Sequence, residues 1–190
     1  AGEYRDEETG NHVIRMAKYS RVIAEEIGFA KDAADIIEMA APMHDIGKIG
    51  IRDDILLKPG KLTAEEFEVM KSHTTIGYDI LKDSPSQFLK MGSVIALGHH
   101  EKFDGIGYPH GITGEEIPIE ARIVAIADVY DALVSERPYK NAWSTQAAME
   151  YMNSQSGKHF DPECLKAFNS QFDTVLKVQG MLPDLKSAEI

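Results

Sequence analysis

Apolar positions recur along this chain at helical spacing almost from its start. Val13, Met16, Ala17, Ser20, Ile23, Ala24 and Ile27 follow an i, i+3, i+4, i+7 rhythm, and Gly28 stands where such a helix stops. A second helical pattern runs from about Asp32 towards Asp45, with Pro42 expected to kink it or force a fresh start just before His44-Asp45. The Gly- and Pro-punctuated stretch 47–62 reads as a loop. Thr63-Ala-Glu-Glu66 is a capping box that opens a helix carrying Phe67, Met70, His73, Ile80 and Leu81. Another helix leads through Val94, Ile95 and Leu97 into His99 and His100, and Asp104-Gly-Ile-Gly-Tyr-Pro109 forms a turn-rich loop. Helical spacing resumes from Ala121 to about Ser135. Two more helices are predicted, one after Ser144 and one with Asp161 as N-cap and Pro162 as its first residue. Strand-like alternation is nearly absent, so the expected fold is all-α.

Composition narrows the class without naming an activity. Of 190 residues, 43% are hydrophobic and 27% charged, the balance of an ordinary globular domain. No apolar run approaches the roughly 20 residues that span a bilayer, and the charged, polar start is unlike a signal peptide. A net charge of −11 argues against DNA or RNA as partner. It leaves room for a small anion wherever bound cations invert the local sign. The lone Cys164 excludes an internal disulfide and a thiolate-rich zinc site, fits a reducing cytoplasmic setting, and reads as a small buried hydrophobe. The start at Ala1 reads as an excised domain. The tail from 177 to 190, with Pro183 and scattered charges, is expected to be weakly ordered.

The histidines carry the chemistry. Five of the seven, His12, His44, His73, His99 and His100, fall on or at the ends of predicted helices beside apolar residues. One such histidine is ordinarily a satisfied core residue, but each buried imidazole needs partners for two ring nitrogens. Five together with carboxylates point to metal coordination by neutral imidazole. In His44-Asp45 the side chains diverge by about 100° on a helix, which would let Asp45 bridge two metals while His44 serves one. Lys48 either holds phosphate oxygens as a point charge or flanks a loop at the surface. Glu8 and His12 are spaced i, i+4 and could share a metal, unless Glu8 is a solvated acid. Asp128 lies in the apolar run Ile123-Val-Ala-Ile-Ala-Asp128 and needs compensation that a metal would supply. Asp131, one turn on, either orients a ligand or pairs with Arg137.

Taken together, the segments H-D-I-G-K, K-S-H-T-T-I-G, H-H-E, D-G-I-G-Y-P and R-P-Y-K strongly resemble the HD-GYP phosphodiesterases, with matching stretches from about Arg5 through Phe168. The resemblance implies an HD-type helical bundle with an extended helical C-terminal part and a Gly107-Tyr108-Pro109 loop, the catalytic domain covering about 1–176. It implies metal ligation by His12, His44, Asp45, His73, His99, His100 and Asp128. Glu8 matches the extra carboxylate of members that hold a third metal. Two or three divalent ions are implied, with iron or manganese favoured over cobalt or zinc. Lys48 matches the lysine beside the scissile phosphate, and Arg137 and Lys140, with Tyr108, look like substrate contacts. His110 and His159 match no ligand position. The implied activity is hydrolysis of cyclic di-GMP to pGpG, and in some members on to GMP, by a metal-bridging hydroxide. Rival readings are a hydrolase of another cyclic dinucleotide such as cyclic GMP-AMP, an HD enzyme acting on other nucleotides such as ppGpp, or a non-catalytic module contacting diguanylate cyclase domains through the Gly-Tyr-Pro loop. An upstream receiver or sensor domain and a dimer formed through an amino-terminal helix are further expectations.

Overall fold

The computed structural model describes residues 10–137 and 140–184, and these are helical, with two isolated bridges and no strand among them. Helix α1 (Gly10–Glu26) buries Met16, Tyr19, Ile23 and Ala24. It ends as expected, because Gly28 adopts φ +106° while Gly28 N and Phe29 N donate to Glu25 O and Ala24 O, which satisfies the last carbonyls. Helix α7 (Ile119–Val134) is apolar on nearly every side, with Ala121 through Ala127 (Arg122 excepted) and Tyr130 buried. A helix of that kind belongs at the centre. It packs against α1, α6 (Gln87–Gly98) and α8 (Thr145–Ser154), while α2 (Lys31–Ala40) lies against α1 and α6.

Two sequence expectations change here. The stretch 47–62 is not a simple loop: a 3-10 helix spans Ile46–Gly50 and α3 spans Asp53–Leu56. Gly47 and Gly50 mark close approach, since a Cβ on Gly47 would lie 1.8 Å from His73 O and one on Gly50 3.0 Å from Ile76, whereas Gly60, at φ +90° with nothing within 4 Å, is a turning glycine. The helix expected after Thr63 is in fact two, α4 (Ala64–Lys71) and α5 (His73–Leu81), with Ser72 at ψ −12° between them. The hydroxyls of Ser72, Thr74 and Thr75 each donate to the carbonyl three residues back, which favours such a break. The break matters because His73 begins α5.

The capping box at Thr63 forms in full. Thr63→Ala should therefore cost about 1 kcal/mol, seen as a lower urea midpoint at unchanged m-value. At the other end, α9 (Pro162–Ser170) opens on the Asp161 cap as expected, and α10 runs Phe172–Met181. The boundary expected at 177 thus falls inside a helix: Val178 is buried, and Leu182 O and the Asp184 carboxylate accept hydrogen bonds from Arg15.

Candidate metal centre

Five elements converge on one point. His12 comes from α1, His44 and Asp45 from the turn after Pro42, His73 from the first residue of α5, His99 and His100 from the end of α6, and Asp128 from α7. One local device aims three of the rings. Nδ1 donates to the carbonyl three residues back in His44 (Ala41 O, 2.9 Å), His73 (Met70 O, 2.7 Å) and His99 (Ala96 O, 3.0 Å). A carbonyl can only accept, so in the neutral ring each Nε2 carries the lone pair. His12 is held differently, with Nδ1 2.5 Å from Asp131 Oδ2, the carboxylate–imidazole arrangement often found behind metal ligands.

The carboxylates lie between these rings. Asp128 Oδ1 is 3.5 Å from Nε2 of both His12 and His44. Asp45 reaches both halves of the cluster, with Oδ2 3.1 Å from His44 Nε2 and Oδ1 3.3 and 3.4 Å from Nε2 of His73 and His99. Asp45, His73, His99 and His100 each offer a donor atom, all within 4.8 Å of one another. Nζ of Lys48 stands 3.1 Å from Asp45 Oδ2. Burial disfavours charge on His12, yet Asp128 and Asp131 outweigh it and lift the imidazole to about 10. The same contest, with Asp45 and Asp128 as partners, holds His44 well above its ordinary value. Burial pushes Asp45 and Asp128 up, but the neighbouring imidazoles, and Lys48 for Asp45, hold both well below the usual carboxylate range. Burial and its neighbours His99 and His73 push His100 well below its ordinary value, so this ring stays neutral.

Nε2 of His73, Nε2 of His99 and Oδ1 of Asp45 are buried with no hydrogen bond. Unpaired buried polar atoms cost about 1–3 kcal/mol each. Three of them facing one space, in an all-nitrogen-and-oxygen donor set, fit a divalent cation.

The Gly-Tyr-Pro loop is tied to this cluster through backbone. Tyr108 N donates to His100 O, and a Cβ on Gly107 would meet His100 O and Lys102 N, both at 2.4 Å. The Tyr108 ring stacks on His100, 4.7 Å between centroids at 17°. Buried Glu101 accepts from His110 N at 2.6 Å, so H-H-E and G-Y-P form one folded unit.

A family model described as HD domain matches residues 3–164. The chain belongs to the HD domain family. Its motifs and fold are those of the HD-GYP group within it. Over 165 residues the chain is 54% identical to the cyclic di-GMP phosphodiesterase response regulator RpfG of Xanthomonas campestris, covering 87% of this chain and 44% of that protein. It is 43% identical over 184 residues to the 3'3'-cGAMP-specific phosphodiesterase 2 of Vibrio cholerae, covering 97% of this chain and 35% of that protein. The chain thus spans less than half the length of either relative. Bd1817, described as an HDG"Y"P protein of Bdellovibrio bacteriovorus, shares the fold at a TM-score of 0.63 with 20% identity, over 85% of this chain and 51% of that one.

Other expected site residues are placed less centrally in this HD domain. Lys140 directs its ammonium to Ala132 O (2.5 Å) and Leu133 O (3.1 Å), where it serves the C-terminal end of α7. Arg137 is bridged to Lys140 through backbone. Asp131 pairs with Arg15 and His12 in place of the Arg137 partner that sequence spacing allowed. Glu8 lies outside the described residues, as do Pro138 and Tyr139. Arg15 and Glu101 were not singled out from sequence; the available signal for Arg15 was a charge beside the buried positions Met16 and Tyr19.

The raised His12 value sets a pH dependence. In the metal-free protein its contribution to stability is fully present below about 6.5 and lost as the pH rises through about 10. A cation entering at neutral pH must displace that proton, so Mn2+ affinity should fall about tenfold for each unit the pH is lowered, per proton released. Calorimetry in two buffers of different ionisation enthalpy should show at least one proton liberated, and buffer-independent heats would contradict the assignment.

Proposed function

We propose that this HD domain hydrolyses cyclic di-GMP to linear pGpG, with divalent cations, iron or manganese, held by His12, His44, Asp45, His73, His99, His100 and Asp128. The observation that carries this is the position of Asp45, whose two oxygens lie beside different imidazoles, Oδ2 by His44 and Oδ1 by His73 and His99. The 54% identity to RpfG supports the substrate. Bound cations would supply a water acidified to near neutral pH and Lewis-acid polarisation of a phosphoryl oxygen. Asp45 and Asp128 would offset the cations' charge and the imidazoles would orient them. Lys48 is 22% exposed, so its ammonium can turn from Asp45 to a phosphate oxygen as charge develops there. Tyr108 walls one side of His100 and offers a flat ring beside the reaction site. A side-chain nucleophile is not needed. Cys164 is no candidate, being fully buried with its thiol pushed up to about 12 by burial and then Asp161.

Cyclic GMP-AMP is the second reading, favoured by the 43% identity to a cGAMP-specific relative. We further propose that the Gly-Tyr-Pro loop, where Ile106 is 76% exposed, is the surface for a diguanylate cyclase contact. An upstream regulatory domain belongs to the same reading. The test is product analysis with the Mn2+-loaded protein, offered cyclic di-GMP, cyclic GMP-AMP and ppGpp in parallel. pGpG from cyclic di-GMP is expected at the highest rate; a metal-replete protein that cleaves none of the three overturns the reading.

A further inference from the structure

Behind the metal cluster lies a second polar group that the proposed reaction does not use. Asp131 is 0% exposed yet accepts four hydrogen bonds. His12 Nδ1 and Arg15 Nη2 reach Oδ2 at 2.5 and 3.0 Å, Ser135 Oγ reaches the same oxygen at 3.1 Å, and Arg15 Nε reaches Oδ1 at 2.7 Å. Arg15 is itself buried; Nη2 also donates to Ser135 Oγ at 3.0 Å, and the guanidinium reaches the other end of the chain as well. Nη1 donates to Leu182 O at 2.6 Å and Nη2 to Asp184 Oδ1 at 2.8 Å. A continuous chain of hydrogen bonds therefore joins residues just past α10 to the back of a metal-facing imidazole.

This arrangement has a definite chemical consequence. Asp131 holds one His12 proton on Nδ1, so that once a cation displaces the other the Nε2 lone pair is aimed towards Asp128 and His44 and the ring is a better donor. A fully buried carboxylate keeps its charge only if it is paired, and Arg15 supplies that pairing. Arg15 in turn has more donors than Asp131 can accept, so the C-terminal segment determines whether the guanidinium is held square to Asp131.

We propose that Asp131 and Arg15 are positioning residues for His12, and that Leu182–Asp184, by engaging Arg15, sets how tightly the His12–His44–Asp128 half of the centre holds its cation. This rests on the metal-dependent reading above. It adds that one half of the centre is tuned from the end of α10, while the Asp45–His73–His99–His100 half, where His73 and His99 bond carbonyls three residues back and His100 stacks on Tyr108, is not.

The experiment titrates Mn2+ alone into the metal-free protein, read by electron paramagnetic resonance for free ion and for the coupled signal of neighbouring Mn2+ ions. Wild-type protein should take up two ions and show the coupled signal. Asp131→Asn should weaken one of them by roughly 10–100-fold and lose the coupled signal while keeping the other ion. Asp184→Ala, at a partly exposed position, should weaken the same ion by a smaller factor, and Asp184→Asn, which still accepts from Arg15, should restore it. The melting curve of each metal-free variant is recorded alongside; if Asp131→Asn does not fold, the Asp184 pair decides. Variants that titrate like wild type, or that weaken both ions equally, overturn the proposal. A wild-type protein that binds no Mn2+ overturns the metal reading itself, which keeps the two failures distinct.

Discussion

Asp45→Asn is expected to lower hydrolysis of cyclic di-GMP by on the order of 10³-fold or more, about 4 kcal/mol of transition-state stabilisation. The amide keeps the shape of the side chain, so the α2 turn and its neighbours should still fold. What it removes is the single negative charge that faces His44 and Lys48 from one oxygen and His73 and His99 from the other. An amide nitrogen on the Lys48 side would face an ammonium, and on the other side it would donate to the Nε2 lone pairs of His73 and His99 that a cation needs, so neither placement favours metal. Both halves of the centre should therefore lose affinity together. Asp128→Asn makes the useful contrast, because among the described residues the imidazoles that Asp128 pairs with are His12 and His44. It should deplete one ion and leave the His73–His99–His100 side loaded. Metal content after dialysis, measured beside the rate with saturating Mn2+, separates the cases. An Asp45→Asn protein that retains full metal and a near wild-type rate would rule out the bridging position for Asp45.

The all-helical class and the motif segments were legible in the sequence, whereas the distant partners of the motif residues were not, and the reason is physical. Histidines beside apolar residues are chemically conspicuous, and short motifs such as His44-Asp45 and His99-His100 name their residues without knowledge of tertiary contacts. The partners of those residues are another matter. Arg15 and Asp131 are separated by 116 positions, and helical periodicity says which face each residue occupies but not which distant charge it meets. Sequence spacing left Asp131 either orienting a ligand or pairing with Arg137; the packing of α1 on α7 sets it against His12 and makes Arg15 its cation. Lys140 shows the same limit from the other side, since nothing local reveals that its ammonium folds back onto the end of α7. Helix ends with a stereochemical signal were readable, as at Gly28, Thr63 and Asp161. The break at Ser72 was not, because periodicity continues across it while the hydroxyls redirect the backbone.

Gly47→Ala is expected to destabilise the fold by about 3 kcal/mol, an overpacking cost at the upper end of the usual range. A new Cβ would sit 1.8 Å from His73 O and 2.5 Å from Gly77 N, and both are backbone atoms of α5, so no side chain can swing aside to admit it. For a chain of this size that loss corresponds to a fall in melting temperature of roughly 6–12 °C. The matching control is Gly180→Ala in α10, where an added Cβ meets nothing within 4 Å. There the better helix propensity of alanine should stabilise by about 0.5–1 kcal/mol. The same one-carbon change thus has opposite signs at the two positions, so a general intolerance of the chain to alanine cannot account for the result. Because the displaced atoms belong to His73, the Gly47→Ala protein should also bind Mn2+ more weakly at temperatures where it remains folded. Equal melting temperatures for the two variants would show that the close approach of the Ile46–Gly50 segment to α5 does not hold in solution.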